Sequence, residues 1–199
     1  GIKDYGKVTE EVRKVEGVIG ATPFTYNQAM IASPGGVVGA VVRGIDLKTA
    51  GTVTVLPTKI KKGSIEGLTS PFIDNQNIKK LPGIVIGSEL ARNIGAEAGD
   101  VISVISPLGT MTPAGPLPRA ASFKVAGIFE LGMYEYDSSM AFISLENSKK
   151  FFRMGDTVTG IEVKLSNIYA AEKAADDIVV RLKGLYWART WMQLNKNLF

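Results

Sequence analysis

Cysteine and histidine are both absent from the 199-residue sequence, and this excludes much chemistry. Thiol nucleophiles, disulfides, Ser-His-Asp triads and the usual zinc sites each need one of these two residues. The glycine motifs that bind phosphate are missing as well. Gly39 and Gly44 have the spacing of a P-loop, but Ile45 stands where its lysine would be. We therefore expect no enzyme activity and no cofactor.

Long hydrophobic runs and a strong excess of one charge are also missing. The most apolar stretch, GVVGAVV at 36–42, is far shorter than the roughly 20 residues of a membrane span and ends at Arg43. The 23 basic and 19 acidic residues are spread along the chain. The densest basic cluster, KIKKG at 59–63, contains no aromatic residue, which argues against nucleic-acid binding. The composition is that of a globular domain.

One group of carboxylates offers an alternative to a non-catalytic domain. Glu130, Glu135 and Asp137 lie close together in FELGMYEYDSS, and paired carboxylates can perform acid-base chemistry. A polar turn between two strands explains the same residues more simply. We favour the turn.

The spacing of apolar residues predicts an α+β chain. Apolar residues three and four apart, such as Val8 and Val12, indicate helices, whereas alternating or short apolar runs indicate strands. The first two strands form a hairpin around Pro34-Gly35-Gly36. The predicted helices are DYGKVTEEVRKVEG, part of 47–63, a brief helix capped by Ser88 and stopped by Gly95, ENSKKFF, YAAEKAADDIVVRLKG and a last one from Thr190. The predicted strands are VIGATPFTYNQAMIAS, VVGAVVRGI, GIVIG, VISVI, ASFKVAGIFE, MAFISL, VTGIEVKLSN and LYWART.

Strand and helix units at both ends of the sequence flank a middle with a different pattern. This arrangement predicts a discontinuous domain that carries an insert from about Leu47 to Arg153.

The stretch SPLGTMTPAGPLPRAAS at 106–122 holds four of the nine prolines, namely Pro107, Pro113, Pro116 and Pro118. Proline has no backbone donor and fixes φ, so we expect a long connection with stiff arms that do not extend the sheet. Such a projection loses little entropy when it docks on a partner.

The side chains of this stretch point to binding rather than to catalysis. Leu108, Met111 and Leu117 are apolar, and Arg119 is the one charged residue of the stretch. A monomer rarely exposes such a surface without a partner. A mobile loop with no partner is the alternative.

Several segments together resemble the periplasmic domain of LolC/LolE-family membrane subunits of the lipoprotein-releasing ABC transporter, a MacB-like periplasmic core domain. The resemblance covers nearly the whole chain. GMYEYDSS is its most specific piece, while the G-S-E-L-A and G-D elements are shared more widely with MacB-like domains. The matching segments are VEGVIGATPFTYNQAMI, VRGID, VIGSELARNIGAEAGDVISVIS, FKVAGIFELGMYEYDSSMAFISLENSKKFF, VTGIEVKLSN and TWMQLNKNLF.

The resemblance implies a discontinuous porter-like subdomain, 1–46 and 154–199, and an inserted sabre-like subdomain, 47–153, that bears a protruding β-hairpin at 106–122. In such subunits one transmembrane helix precedes the position of Gly1 and another follows that of Phe199, so the chain resembles a loop excised between two spans. Trp187, Trp191 and Phe199 would then approach the bilayer interface, where aromatic residues are favoured. A core-facing position of Trp191 and Phe199 on a last helix is the alternative.

The resemblance also implies transport without chemistry in this domain. Relatives release lipoproteins from the inner membrane of Gram-negative bacteria and pass them to the periplasmic carrier LolA. ATP is hydrolysed on a separate cytoplasmic subunit, LolD, and a second membrane subunit is LolE-like or a copy of the first. No cofactor and no nucleic acid are implied. The alternative is a MacB-like efflux or export permease domain, which meets an adaptor protein instead.

LolC-type subunits capture LolA with a hairpin called the hook, whose tip carries T-P-x-G, and LolE-type subunits lack it. By this criterion the chain is LolC-like or a single-gene subunit that serves both roles. The family's polar and basic pad at the base of the hook is not matched, since Ala120 and Ala121 follow Arg119. The residues implied to bind the carrier are Leu108, Met111, Thr112, Pro113, Ala114, Gly115, Pro116, Leu117 and Arg119.

Overall fold

The computed structural model describes residues 1–69, 72–73 and 80–194, and it confirms the α+β class. The helices of this described part are α1 (Tyr5–Arg13), α2 (Ser88–Ile94), α3 (Tyr134–Ser139), α4 (Leu145–Phe151), α5 (Ala171–Arg181) and α6 (Trp191–Leu194). Its strands are β1 (Val18–Ser33), β2 (Gly36–Ile45), β3 (Ile60–Gly63), β4 (Phe72–Ile73), β5 (Lys80–Leu81), β6 (Gly83–Gly87), β7 (Val101–Thr112), β8 (Gly115–Phe129), β9 (Met140–Ser144) and β10 (Gly160–Leu165).

One eight-stranded sheet organises the fold, in the order β10-β1-β2-β9-β6-β8-β3. Strand β7 pairs with both β1 and β8, so that β1, β2, β9, β6, β8 and β7 close into a ring. The long β1–β2 hairpin is in register from Ser33↔Gly36 to Phe24↔Ile45. The ring therefore joins two strands of the first part of the chain with four strands of its middle, and β10 from the last part pairs with β1 outside the ring.

The main hydrophobic core fills the inside of this ring. All six ring strands contribute fully buried or nearly buried side chains that alternate with outward residues along each strand. Helix α2 adds Leu90 and Ile94, and α4 adds Phe151. Strand residues of this core include Ile31, Val42, Ile84, Ile86, Val104, Phe123, Val125 and Ile143.

A second, smaller core covers part of the outside of the sheet. Ala50, Leu56 and Leu68 from the segment after β2 pack against Phe129 and Phe142, whose rings meet edge to face at 5.4 Å. The segment from Asp46 to Leu68 thus serves as a cover for one outer face.

One predicted helix, one predicted strand and one predicted helix cap are wrong. The segment 47–63 contains no α-helix; it forms two short 3₁₀ turns and β3, because its Ala50 and Leu56 are drawn into the second core. LYWART forms no strand. Ser88 does not cap α2, since Gly87 is the N-cap residue and the Ser88 hydroxyl makes no such bond.

Other predictions of local structure are confirmed. Helix α1 ends before Gly17, whose φ of +86° needs a residue without a side chain. Gly95 ends α2 with φ +65°, and α6 begins directly after Thr190. The boundaries of the porter-like subdomain (1–46 and 154–199) and of the sabre-like subdomain (47–153) stay a prediction, and residues 195–199, with Phe199, lie outside the described residues.

Candidate functional site

The candidate site is a two-stranded ribbon in which β7 and β8 run beyond the ring. Strand β7 pairs with β1 only from Ser103 to Ile105, and β8 pairs with β6 only from Lys124 onward. Among the described residues, the segment 106–119 pairs only with itself, from Ser106↔Arg119 to Thr112↔Gly115. At about 3.3 Å per residue, it projects about 20 Å from the ring.

A two-residue turn, Pro113-Ala114, closes the ribbon at its tip. The Thr112 hydroxyl donates a hydrogen bond of 2.7 Å to the Gly115 carbonyl oxygen. Gly115 has φ +114°, a backbone conformation that glycine adopts without strain. The T-P-x-G sequence therefore favours a tight turn, because Thr112 supplies a hydrogen bond across it and Gly115 adopts the positive φ.

A bulge in β7 lies between the base and the tip. The register slips between Ser106 and Thr110, and the Ser106 hydroxyl donates a hydrogen bond of 3.4 Å to the Leu108 carbonyl oxygen. A Cβ placed on Gly109 would overlap the Leu117 carbonyl oxygen. The close approach of the two strands at the bulge thus depends on glycine at this position.

The prolines predicted a connection whose arms do not form β-structure, and this prediction is wrong because the two arms pair with each other. Pro116 lies opposite Met111 in the ladder, and Pro118 follows within the same strand. Each strand of a two-stranded ribbon has one free edge, where a residue needs no N–H donor. The prolines are compatible with pairing because only one side of each strand is bonded, and they keep a further strand from joining.

The ribbon exposes large apolar side chains to solvent. Leu108 is 88% exposed, Met111 77% and Leu117 58%. Leu117 shares the face of β8 that carries Arg119, whereas Met111 and its partner Pro116 lie on the other face. The nine residues expected to bind a carrier lie together on this hairpin, and their role in binding stays a prediction.

In addition to strand pairing, a side-chain contact that the sequence did not indicate supports the base of the ribbon. The guanidinium carbon of half-buried Arg119 lies 5.8 Å from the ring centroid of Phe151 in α4. Ala120 and Ala121 follow it, and Ala120 is exposed. Phe151 therefore orients Arg119, and whether Arg119 takes the place of the family pad stays a prediction.

The acidic group at the end of β8 has a structural role. Asp137 is only 4% exposed, and its carboxylate oxygens accept hydrogen bonds from the backbone N–H groups of Leu131 and Gly132, at 2.8 and 3.0 Å. Glu130 and Glu135 are exposed. The carboxylate shapes the loop before α3, and the segment forms a helix where a turn was expected.

Buried Lys149 has several partners as well. Its ammonium donates to the Tyr5 hydroxyl at 2.6 Å and lies 3.0 Å from carboxylate oxygens of Asp156 and Glu146. Burial disfavours its charge, but these hydrogen bonds outweigh burial and raise the pKa of Lys149 above its ordinary value. The group links α1 to α4 and is not a site of proton transfer at neutral pH.

Within residues 1–69, 72–73 and 80–194, no group of His, Cys, Asp and Glu side chains could hold a metal ion. Over the same residues, none of the helices combines the length and apolar character that a membrane crossing requires.

Known proteins resemble the chain in sequence. It is 30% identical over 197 residues to the lipoprotein-releasing system transmembrane protein LolC of Neisseria meningitidis serogroup B (strain MC58), a match that covers 98% of the chain and 45% of the relative. It is 36% identical over 186 residues to LolC of Xylella fastidiosa (strain Temecula1), covering 92% of the chain and 41% of the relative. The chain thus spans less than half the length of these relatives. No protein-family model matches it.

Solved structures resemble the chain in fold. The extracellular domain of the ABC-type transporter YknZ from Gram-positive bacteria superposes with a TM-score of 0.59 at 11% identity, covering 92% of the chain and 83% of the neighbour. The periplasmic region of MacB from Actinobacillus actinomycetemcomitans superposes with a TM-score of 0.54 at 14% identity, covering 93% and 74%. The resemblance to LolC-type membrane subunits and to MacB-like periplasmic domains is confirmed.

Proposed function

We propose that the chain is the periplasmic domain of a LolC-type membrane subunit, at the inner membrane of a Gram-negative bacterium, and that it recruits a LolA-like lipoprotein carrier. The complete transporter would release lipoproteins, with ATP hydrolysed by a separate LolD-like subunit beside a second membrane subunit. The domain itself would bind the carrier and transmit force, and it would catalyse no reaction.

The observation that carries this proposal is the exposed apolar hairpin. Leu108, Met111 and Leu117 belong to neither hydrophobic core, so they contribute little to holding the fold together. Their exposure costs solubility without stabilising the folded state, which indicates that a partner covers them. The short turn and the prolines restrict the ribbon before it binds, and this reduces the entropy lost on docking.

The direct test measures binding of a purified LolA-like carrier to the 199-residue chain by calorimetry. We expect that removing 108–118, or replacing Pro113, abolishes binding. The far-ultraviolet circular dichroism should be unchanged for the Pro113 variant and should lose only the signal of the removed ribbon residues for the deletion, because the ring and both cores lie outside this segment.

A matched pair of single variants sharpens the test. Leu117 and Val37 are both 58% exposed on strands, so Leu117→Ser and Val37→Ser each remove one exposed aliphatic side chain of similar fractional exposure. We expect only Leu117→Ser to weaken carrier binding. Equal affinities of the two variants would reject the hairpin as the site. Binding of a periplasmic adaptor in place of the carrier would support the MacB-like alternative.

A further inference from the structure

The six methionines hold the only sulfur atoms of the chain, because cysteine is absent. All six lie within the described residues. An oxidant dissolved in water must reach the sulfur of a methionine to oxidise it, so solvent exposure ranks the six. Met111 on the hairpin is the most exposed at 77%, followed by Met133 at 53% and Met30 at 40%.

The other three methionines are better shielded. Met140 is 9% exposed and belongs to the second core. Met154 and Met192 are half-buried, and the Met154 sulfur accepts a hydrogen bond of 3.5 Å from the Asn27 side-chain amide. An oxidant at low concentration should therefore reach the hairpin before it reaches either core.

The neighbours of Met111 on the ribbon leave its sulfur open to solvent. The residue opposite Met111 in the ladder is Pro116, and Pro113 follows two residues later in the turn. Both prolines are exposed themselves. Contact with an aromatic ring stabilises a thioether, but the sequence of 106–122 contains no aromatic residue. The thioether thus belongs to the apolar surface that the hairpin offers to a partner.

Oxidation would change this apolar group into a polar one. A two-electron oxidant such as hydrogen peroxide transfers one oxygen atom to the sulfur while its O–O bond breaks, so that a thioether and hydrogen peroxide give a sulfoxide and water. The sulfur loses two electrons and the peroxide gains them. The new sulfoxide oxygen accepts hydrogen bonds, and burying it against an apolar partner without a donor is unfavourable.

We propose that Met111 is a site of reversible oxidation that controls docking of the carrier on the hairpin. The inference rests on the proposed function, because it assigns regulation to the same hairpin. Met111 belongs to neither hydrophobic core, so its oxidation alters the docking surface and leaves the fold intact. Methionine sulfoxide reductases convert the product back to the thioether, and docking then returns.

The test treats the 199-residue chain with graded hydrogen peroxide and then removes the oxidant. Peptide mass spectrometry measures the sulfoxide fraction at each methionine, calorimetry measures affinity for an untreated LolA-like carrier, and urea unfolding measures stability. We expect Met111 to be oxidised first and affinity to fall about tenfold, because a polar group is then buried without a partner. The free energy of unfolding should be unchanged. Reductases for both sulfoxide epimers should restore the affinity.

Variants assign the effect to one sulfur atom. Met30→Leu/Met133→Leu removes the two other exposed thioethers, which lie outside the hairpin, and should keep the full sensitivity to peroxide. Met111→Leu should have the same affinity before and after treatment, because leucine is not oxidised. Met111→Gln places a polar group on the hairpin without any oxidant and should weaken docking, whereas the matched control Met133→Gln should not.

Three results would overturn this inference while the proposed function stands, because the untreated chain still binds the carrier in each. Met111 could stay reduced while Met30 or Met133 is oxidised. Complete oxidation of Met111 could leave the affinity unchanged. The sensitivity to peroxide could disappear in Met30→Leu/Met133→Leu, which would assign it to another sulfur. A chain that fails to bind the carrier before any treatment would instead contradict the proposed function, and this inference with it.

Discussion

Arg119 at the base of the hairpin and Phe151 at the end of α4 lie in contact, with the guanidinium carbon 5.8 Å from the ring centroid. Phe151 in turn packs edge to face on Phe123 at 5.9 Å. The backbone of β7 and β8 continues from the hairpin into the ring, and these two contacts add a side-chain connection from the base of the hairpin to the main core.

The Arg119 contact predicts separate effects on stability and on carrier binding. Arg119→Met keeps an aliphatic chain over Phe151 but removes the cation, so its free energy of unfolding should fall by about 0.5–1 kcal/mol. If the charge also meets the carrier, affinity should fall further than this loss explains. Urea unfolding and calorimetry measure the two effects. Lys150→Met, an exposed position on α4, serves as the control, and an equal loss of affinity there would argue against a specific role for Arg119.

The bulge predicts a second effect at Gly109. Its Cβ would overlap the Leu117 carbonyl oxygen, so Gly109→Ala should displace the two ribbon strands and weaken carrier binding. Amide chemical shifts should change within 106–119 and stay the same in the ring. Gly39→Ala is matched, because a Cβ there meets only the Met30 sulfur at 3.9 Å. Similar spectra for both variants would show that the bulge is not tightly constrained.

Local signals predicted much of this fold because they depend on near neighbours in the sequence. The β1–β2 hairpin follows from alternation around Pro34-Gly35, and the ends of α1 and α2 follow from Gly17 and Gly95. Each of these features is decided by a few adjacent residues. The hairpin that carries the candidate site was located by its prolines and glycines, but its β-pairing was implied only by the family resemblance.

The features that sequence missed depend on contacts between distant segments. The residue pattern of segment 47–63 predicted a helix. Packing of Leu56 in one core with Phe129 and Phe142 favours a different local structure. The prolines led to the prediction of a non-pairing loop. The sequence does not show that the outer edges of 106–119 are free, and a proline on a free edge leaves the pairing of the two strands intact. Likewise, nothing near Arg119 in the sequence indicates Phe151 as its support.

Asp137 provides a prediction about stability alone. Asp137→Asn keeps the shape but weakens two hydrogen bonds to the N–H groups of Leu131 and Gly132. Bonds to a charged acceptor contribute about 1.5–3 kcal/mol, and we expect a loss of that order in urea unfolding. Exposed Glu135→Gln should change stability by less than about 0.5 kcal/mol. Carrier binding should be the same in both, since neither residue lies on the hairpin.

Lys149 predicts how stability depends on pH. Its pKa is raised in the folded state because hydrogen bonds to Tyr5, Asp156 and Glu146 outweigh burial. A raised pKa stabilises the fold in full below the unfolded-state value, about 10.4 for lysine, and this contribution is lost as pH rises through the folded-state pKa. Lys149→Met should therefore cost about 1–3 kcal/mol at neutral pH.

The difference between wild type and Lys149→Met should be constant from about pH 7 to 9 and should shrink only above about pH 10. Tyr5→Phe removes one of the three acceptors, so combining it with Lys149→Met in a double-mutant cycle isolates their 2.6 Å hydrogen bond. Strictly additive losses would mean that this bond does not couple α1 to α4. A coupling of about 0.5 kcal/mol or more would show that the lysine connects the first helix to the α4 segment that also supports Arg119.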